Sequence, residues 1–147
     1  MTFAGWPVAL ALLTASCGSP RAVREVIVNG TEYAFVSPDT LGAGPVRFLF
    51  RNTGHMAHEV GIGRVKAGIP LDSVLRMELR GDDIERVYDA GEGLLYAEVG
   101  EVVEAALYVE LLPGRDYVLI CTLPDSTGKA HSMRGMIRGL RVTKPSS

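Results

Sequence analysis

Alternation of apolar and polar residues along the chain predicts a series of short β-strands. The clearest is residues 46–52, where Val46, Phe48 and Phe50 fall on one face of an extended strand. Further stretches rich in β-branched, aromatic and aliphatic residues lie between turn residues; they are 58–65, 102–112, 117–121 and 136–142. Because a period of two dominates, the pattern predicts a fold built from strands.

The N-terminal part of this pattern contains turn signals. Residues 26–35 alternate around Asn29-Gly30, a pair that favours the tight turn of a β-hairpin. We therefore predict two short strands joined at that turn. Residues 38–45, bounded by two prolines, are predicted to form a turn-rich link.

One stretch changes from the strand period to the helical period. Within residues 70–79, Asp72 or Ser73 is placed to cap a short helix. The apolar residues of this helix are Val74, Leu75 and Leu79. Residues 80–100 are charged and interrupted by glycines, and we predict that they form an insertion crossing one edge of the domain.

About seven short strands, one short helix and frequent turns predict an all-β fold of the sandwich type. The chain of 147 residues is long enough for one such domain with its own core. A net charge of −2 provides no basic field for nucleic acid. The sequence also lacks a phosphate-binding glycine motif, a serine nucleophile elbow and the helix motif of zinc proteases.

The N-terminus has the pattern of a targeting segment. Residues 3–16 carry no charge and are too few to span a membrane, as in the core of a signal peptide. The run Leu13–Cys17 resembles a bacterial lipoprotein cleavage site, although Thr14 stands where that pattern usually has leucine. We therefore predict a signal peptide over residues 1–17 and lipid attachment at Cys17. The alternative is a plain secretory signal with an incidental cysteine.

This interpretation divides the rest of the chain into three parts. Residues 18–24 form a polar tether, residues 25–143 form the domain, and residues 144–147 form a free tail. The protein is then exported, to the periplasm or to the outer face of the cell membrane, and touches the membrane only through a lipid anchor. We expect a monomer.

A group of soft and borderline metal donors follows the strand 117–121. Cys121, His131, Met133 and Met136 lie within sixteen residues of one another. Thiolate, imidazole and thioether donors select copper over magnesium or calcium. A lone thiol in an oxidising compartment is prone to oxidation, and a metal bond would protect it. The alternative is a buried, inert cysteine at a strand end.

The order and spacing of these donors form a wider pattern. Its residues are Asn52, Gly54, His58, Glu59, Cys121, Pro124, His131, Gly135 and Met136, with the lead-in 112–121. Over roughly residues 25–143 the chain resembles the cupredoxin (blue copper) family. The resemblance implies a Greek-key β-sandwich that holds one copper ion, as Cu(I) or Cu(II). It also implies His58, Cys121 and His131 as equatorial ligands and Met136 as the axial ligand.

The sequence departs from that family at two places. Nine residues separate Cys121 from His131, where better-known members have two to four. Residues 125–129 are typical of a turn, so we expect the extra length to bulge outward and leave the ligand positions intact. Glu59 stands where many members carry an asparagine that ties the two ligand loops together. The sequence therefore leaves open how rigid the ligand loops are, and with that the redox potential.

Three further donors lie near the proposed ligands. Met56 and His58 would share a face of an extended strand, whereas His55 would point elsewhere, so we predict that His55 is exposed to solvent. Met133 forms a His-x-Met pair with His131, which exported Cu(I) chaperones also use.

These observations favour a copper electron carrier that has no enzymatic activity and serves redox partner proteins. The electron would pass through an exposed edge of His131, and Lys129, Arg134 and Arg138 would form a basic rim that attracts an acidic partner. The alternative is that the two arginines lie on ordinary solvated strand faces. The alternatives are a Cu(I) carrier or store, which would use His131, Met133 and Met136, and a metal-free interaction module.

Overall fold

The computed structural model describes Met1 and residues 22–82 and 85–144. Within these residues it has nine β-strands, one α-helix and two short 3-10 turns. The strands are β1 (Arg24–Thr31), β2 (Ala34–Val36), β3 (Thr40–Gly42), β4 (Gly44–Asn52), β5 (His58–Val65), β6 (Tyr88–Ala97), β7 (Leu107–Leu111), β8 (Asp116–Ile120) and β9 (Ile137–Thr143). The helix is α1 (Leu71–Arg80), and the 3-10 turns are Glu85–Val87 and His131–Arg134.

The predicted all-β class is confirmed. Cys17 and the predicted signal peptide lie outside the described residues, apart from Met1.

The strands form two sheets with a shared core. One sheet has the order β2-β1-β4-β7, and the other has the order β3-β9-β8-β5-β6. Pairs β1–β4 and β3–β9 are parallel, and the remaining pairs are antiparallel. Alternate residues point inward, so Phe48 and Phe50 of the first sheet share one buried cluster with Val60, Leu119 and Leu140 of the second.

The hairpin predicted at Asn29-Gly30 is wrong. Strand β1 runs straight through both residues, which pair with β2 on one side and with β4 on the other. The turn lies at Glu32-Tyr33 instead. Gly30 serves a close approach, since a Cβ placed there would lie 3.0 Å from the ring of Phe50.

Two other boundaries differ from the sequence prediction. Residues 38–45 contain strand β3, which adds to the edge of the second sheet by pairing with β9. Within 102–112, the strand begins only at Leu107, and Val102 makes an isolated bridge to Arg51. Long-range pairing defines these short elements, and a local pattern does not reveal it.

The predicted helix is confirmed as α1, but its start is not capped as expected. Pro70 precedes the first turn, and neither Asp72 nor Ser73 makes a capping hydrogen bond. Gly81 ends the helix with φ of 72°. The helix buries Leu71, Val74 and Glu78, whereas Leu79 is exposed. No helix among the described residues is long and apolar enough to cross a membrane.

The stretch 80–100 is not an insertion outside the sheet. Most of it forms β6, the edge strand that pairs with β5 along its length. The local pattern does not reveal this strand, because only Leu95 and Ala97 in it are buried and glycines or charged residues occupy most of its exposed positions. Its pairing with β5 holds the strand that begins at His58.

Candidate metal centre

The predicted ligands meet at one end of the sandwich because of how two strands pair. Strand β5 begins at His58, and the neighbouring antiparallel strand β8 ends one residue before Cys121. The start of one strand therefore lies beside the end of the other. The chain then returns through the 3-10 turn that begins at His131, and Met136 immediately precedes β9.

Three donor atoms converge in a closed space. The Nδ1 atoms of His58 and His131 are 3.2 Å apart, and the Cys121 Sγ is 3.4 Å from the His131 Nδ1. All three donors lie within 4.8 Å of one another. Metal bonds of about 2.0 Å to nitrogen and about 2.3 Å to sulfur place donors in a trigonal plane roughly 3.5–4 Å apart. The observed spacing fits one such ion with little adjustment.

Burial sets the protonation of these side chains. Both imidazoles have a lowered pKa, chiefly because burial penalises the charged ring, and for His58 also because His131 lies beside it. Burial likewise raises the pKa of the Cys121 thiol. Neutral imidazoles have a lone pair to offer, whereas the thiol must lose its proton when a metal binds. The Nε2 atoms of His58 and His131 are buried without a hydrogen-bond partner.

Met136 lies in the same buried cluster as Cys121, and its backbone is hydrogen-bonded to those of Cys121 and His131. Its side chain is fully buried, as is that of Cys121. Its peptide N–H donates to the carbonyl of His131 at 2.9 Å, and its carbonyl accepts from the N–H of Cys121 at 3.1 Å. A Cβ at Gly30 would lie 3.3 Å from the Met136 methyl group. Strand β1 therefore packs closely against the Met136 side chain at Gly30.

The loop before His58 is organised by one buried amide. Asn52 is 2% exposed, and its Oδ1 accepts from the N–H of Gly54 at 2.9 Å. Its Nδ2 faces three carbonyl oxygens, those of Met56 at 2.7 Å, Ala97 at 3.2 Å and Glu98 at 3.0 Å. Gly54 has no room for a side chain, because a Cβ would lie 2.9 Å from the His58 Nε2. Asn52 thereby ties this loop to the end of β6.

The longer loop between Cys121 and His131 forms a small hairpin of its own. Pro124 and Ala130 make an antiparallel bridge, and the N–H of His131 donates to the carbonyl of Leu123 at 2.8 Å. The intervening residues 126–128 are exposed. The extra length therefore bulges outward, as expected. The Pro124–Ala130 bridge closes the bulge, so that His131 follows directly after it.

Asp125 holds this hairpin together with a single carboxylate. Its Oδ1 accepts from the N–H and hydroxyl of Thr127, at 2.8 and 2.6 Å, and from the N–H of Lys129 at 3.1 Å. Its Oδ2 accepts from the Nε of Arg134 at 2.8 Å. These bonds, with that from the Thr127 hydroxyl first, keep the pKa of Asp125 well below its usual range. The predicted basic rim is correspondingly weaker, since Asp125 pairs with the charge of Arg134.

Glu59 makes the link between the loops that the sequence left open. Its N–H donates to the Cys121 Sγ at 3.5 Å. Its Oε1 accepts from both the N–H and the hydroxyl of Thr122, at 3.0 and 2.6 Å. A carboxylate thus joins the residue after His58 to the residue after Cys121. In the sequence this link is indicated only by Thr122, which follows Cys121 and offers two hydrogen-bond donors, its N–H and its hydroxyl.

His131 is not exposed at its edge, which corrects the route expected for an electron. It is only 2% exposed and lies at a cleft of about 450 Å³ that reaches it from the surface. The cleft is lined mainly by Met56, Ala57, Tyr96, Leu123 and Pro124. The ring of Tyr33 packs edge-on against that of His131, with centroids 5.2 Å apart. Tyr33 reaches the site from the β1–β2 turn, and no local pattern in the sequence indicates this contact.

The remaining candidate donors have other contacts. His55 is exposed, as predicted, and its Nδ1 lies 3.0 Å from the Oε1 of Glu32. The sulfur of Met133 packs against the end of α1, where it would lie 3.0 Å from a Cβ at Gly81. Met56 lines the cleft beside His131. The three donor atoms that converge are thus those of His58, Cys121 and His131.

Several solved structures have the same fold. Auracyanin A, a "blue" copper protein from Chloroflexus aurantiacus, is 20% identical with a TM-score of 0.51, and the match covers 83% of this chain and 100% of that one. Auracyanin B is 19% identical with a TM-score of 0.52 (86% and 92% covered). Reduced rusticyanin is 17% identical with a TM-score of 0.50 (82% and 79% covered). No family model and no curated protein sequence matches the chain. The fold is therefore that of the cupredoxins.

Proposed function

We propose that this chain binds one copper ion and carries single electrons between redox partner proteins. The observation that supports the proposal is the buried convergence of two imidazole Nδ1 atoms and one thiol, from His58, His131 and Cys121. Two nitrogens and one sulfur in this arrangement are the donor set of blue-copper electron-transfer sites. The fold supports the same interpretation, because auracyanin A shares it and is described as a blue copper protein.

The side chains of this site suit one-electron transfer. His58, Cys121 and His131 would hold the ion, with Met136 as a further, weaker ligand. The bound copper would supply the Cu(II)/Cu(I) couple. The protein contributes rigidity, because strands, the Asn52 amide and the Glu59 carboxylate fix the ligand loops in place. Burial of the donors excludes water, so little rearrangement accompanies a change of charge.

The wider setting of this function is also part of the proposal. The protein would be exported and would work as a monomer outside the cytoplasmic membrane, held there by a lipid on Cys17. A redox partner would approach the ion through the cleft beside His131, because the His131 side chain lines that cleft.

A visible spectrum of the protein titrated with Cu(II) tests this function. We expect an intense thiolate-to-copper band at one equivalent, and its loss in Cys121→Ser. Two controls should keep the band, namely Cys17→Ser, which removes the other thiol, and Met133→Leu, which removes the sulfur packed against Gly81.

The other outcomes identify the competing functions. Tight Cu(I) binding without such a band, weakened by Met133→Leu, would support a Cu(I) carrier. A protein that binds neither Cu(I) nor Cu(II) would be a metal-free interaction module.

A further inference from the structure

A second cleft, of about 610 Å³, lies on the outer face of the five-stranded sheet. Along β5, Val60 and Ile62 point into the sandwich core, so Gly61 and Gly63 face outward. Both glycines line this cleft. It therefore lies on the face of the sheet opposite to the core, whereas Cys121 of the metal centre lies in the core. Glu59 and Thr122, which follow His58 and Cys121 in the chain, line one end of the cleft.

The floor and one wall of the cleft are apolar because β5 has no side chains there. A Cβ at Gly63 would lie 3.1 Å from the ring of Tyr88, so this ring lies across the strand at that point. A Cβ at Gly61 would touch the side chain of Ile120 at 3.4 Å. The glycine stretch thus opens a trough bounded by an aromatic ring at one end and an aliphatic side chain along its floor.

Two carboxyl side chains with little exposure line this trough. Glu78, from α1, is 4% exposed, and its Oε1 accepts a hydrogen bond from the Tyr88 hydroxyl at 2.8 Å. Glu59 is 8% exposed and accepts hydrogen bonds from the N–H and the hydroxyl of Thr122. Glu59 and Gly63 are four residues apart on β5, which places the two ends of the trough roughly 13 Å apart.

Neither carboxyl group has a cationic partner within the described part of the chain. No ion pair there involves Glu78 or Glu59, and no hydrogen bond there uses the second oxygen of Glu78, Oε2. Asp89, in the same lining, differs because it pairs with Arg64 and Arg115. A buried carboxylate without a counter-charge is costly, and burial accordingly raises the pKa of Glu78.

The lining selects among the possible cations. A hard metal ion prefers six or more oxygen ligands, and the walls of this cleft are largely carbon. Within the described residues, three His, Cys, Asp or Glu donors cluster only at the His58 site. An ammonium or guanidinium group attached to an apolar body matches both the carboxyl group and the floor.

We propose that this cleft binds a small organic cation, whose charged group pairs with Glu78 and whose apolar body lies over Gly61 and Ile120. The Tyr88 hydroxyl orients the carboxylate, and the ring of Tyr88 forms the end wall. This site does not depend on copper, so its failure would leave the proposed electron transfer untouched.

The first test uses benzylammonium as the probe and the full-length, metal-free protein, observed by NMR. We expect saturable shifts of the amides of Gly61 and Ile120 and of residues next to Glu78. Benzyl alcohol and phenylacetate have the same ring without the positive charge and should bind at least about tenfold more weakly. Equal binding of benzyl alcohol, or shifts that do not saturate, would overturn the proposal.

Two variants locate the site. Glu78→Gln should weaken benzylammonium binding at least about tenfold, and Gly61→Val should abolish it by filling the floor. Glu104→Gln changes an exposed carboxylate outside the cleft and should leave the affinity unchanged. Unchanged affinity in a folded Glu78→Gln protein, or an equal loss in Glu104→Gln, would contradict the assignment. If Glu78→Gln does not fold, Gly61→Val decides the question by itself.

Discussion

The two loops that bring the ligands together are held in different ways. The loop before His58 is short, and the neutral amide of Asn52 fastens it to the end of a neighbouring strand. The loop before His131 is long, and the charged carboxylate of Asp125 fastens it mainly to itself. The first loop is therefore held in place by the sheet, whereas the second is held mainly by hydrogen bonds within the loop itself.

This difference shows how a ligand loop can lengthen without losing its ligand. The hairpin closed by Asp125 isolates residues 126–128 from the site, and the chain rejoins the sandwich through the hydrogen bond between His131 and Leu123. Contacts from other elements then complete the placement, with Glu59 bonded to Thr122 and Tyr33 packed on the His131 ring.

The largest effect should follow from Asn52→Ala, which breaks the anchored loop. Several buried backbone groups lose their partner, so we expect the free energy of unfolding to fall by about 3 kcal/mol. The same change should greatly weaken copper binding, because His58 is no longer held. Urea unfolding and copper titration measure both effects. The control Asn29→Ala, at a half-buried position on β1, should change neither the stability nor the copper binding appreciably.

An intermediate effect on stability and copper binding should follow from Asp125→Ala, which removes the hydrogen bonds that close the long loop before His131. The fold should survive because the loop adds little to the sheets, while copper affinity should fall by about 10- to 100-fold through the loss of His131 placement. Copper competition and urea unfolding separate the two quantities. Arg134→Ala removes one of the partners of Asp125 and should have a smaller effect. A larger loss of stability than in Asn52→Ala would contradict the contrast between the loops.

The pH dependence of Asp125 has a defined sign. Because its pKa is lowered in the folded protein, its carboxylate stabilises the fold above its ordinary pKa. That contribution should decline as the pH falls below about 4. The difference in stability between the wild type and Asp125→Ala should therefore narrow in acid, as unfolding curves at several pH values would measure.

The smallest effect on stability should come from Glu59→Gln, which changes the link between the loops. The amide oxygen of glutamine can still accept from Thr122, so the fold and the thiolate-to-copper band should remain. The reduction potential should rise, because a negative charge beside Cys121 no longer stabilises the more oxidised ion. Protein-film voltammetry measures that shift. An unchanged or lower potential would show that Glu59 acts only as a tether.

Local patterns were sufficient for the elements whose alternation or helical period is complete. Strand β4 and helix α1 belong to this group, since their buried positions recur regularly. Patterns failed for β6, where glycines and charges hide the period, and at Asn29-Gly30, where a turn signal lies inside a paired strand. In each failure, pairing with a distant strand outweighed the local preference.

The amino-acid sequence alone predicts an all-β chain that carries the Cys121 thiol, imidazoles and thioethers near the ends of its strands. How those groups are used follows from the contacts that they make in the fold. The fold buries His131 at a cleft, pairs Arg134 with Asp125, turns Met133 toward α1 and joins Glu59 to Thr122. The physical reason is that residue type sets which bonds a side chain can make. Which partner it meets depends on strands far apart in the chain, such as β5 and β8, coming to lie side by side.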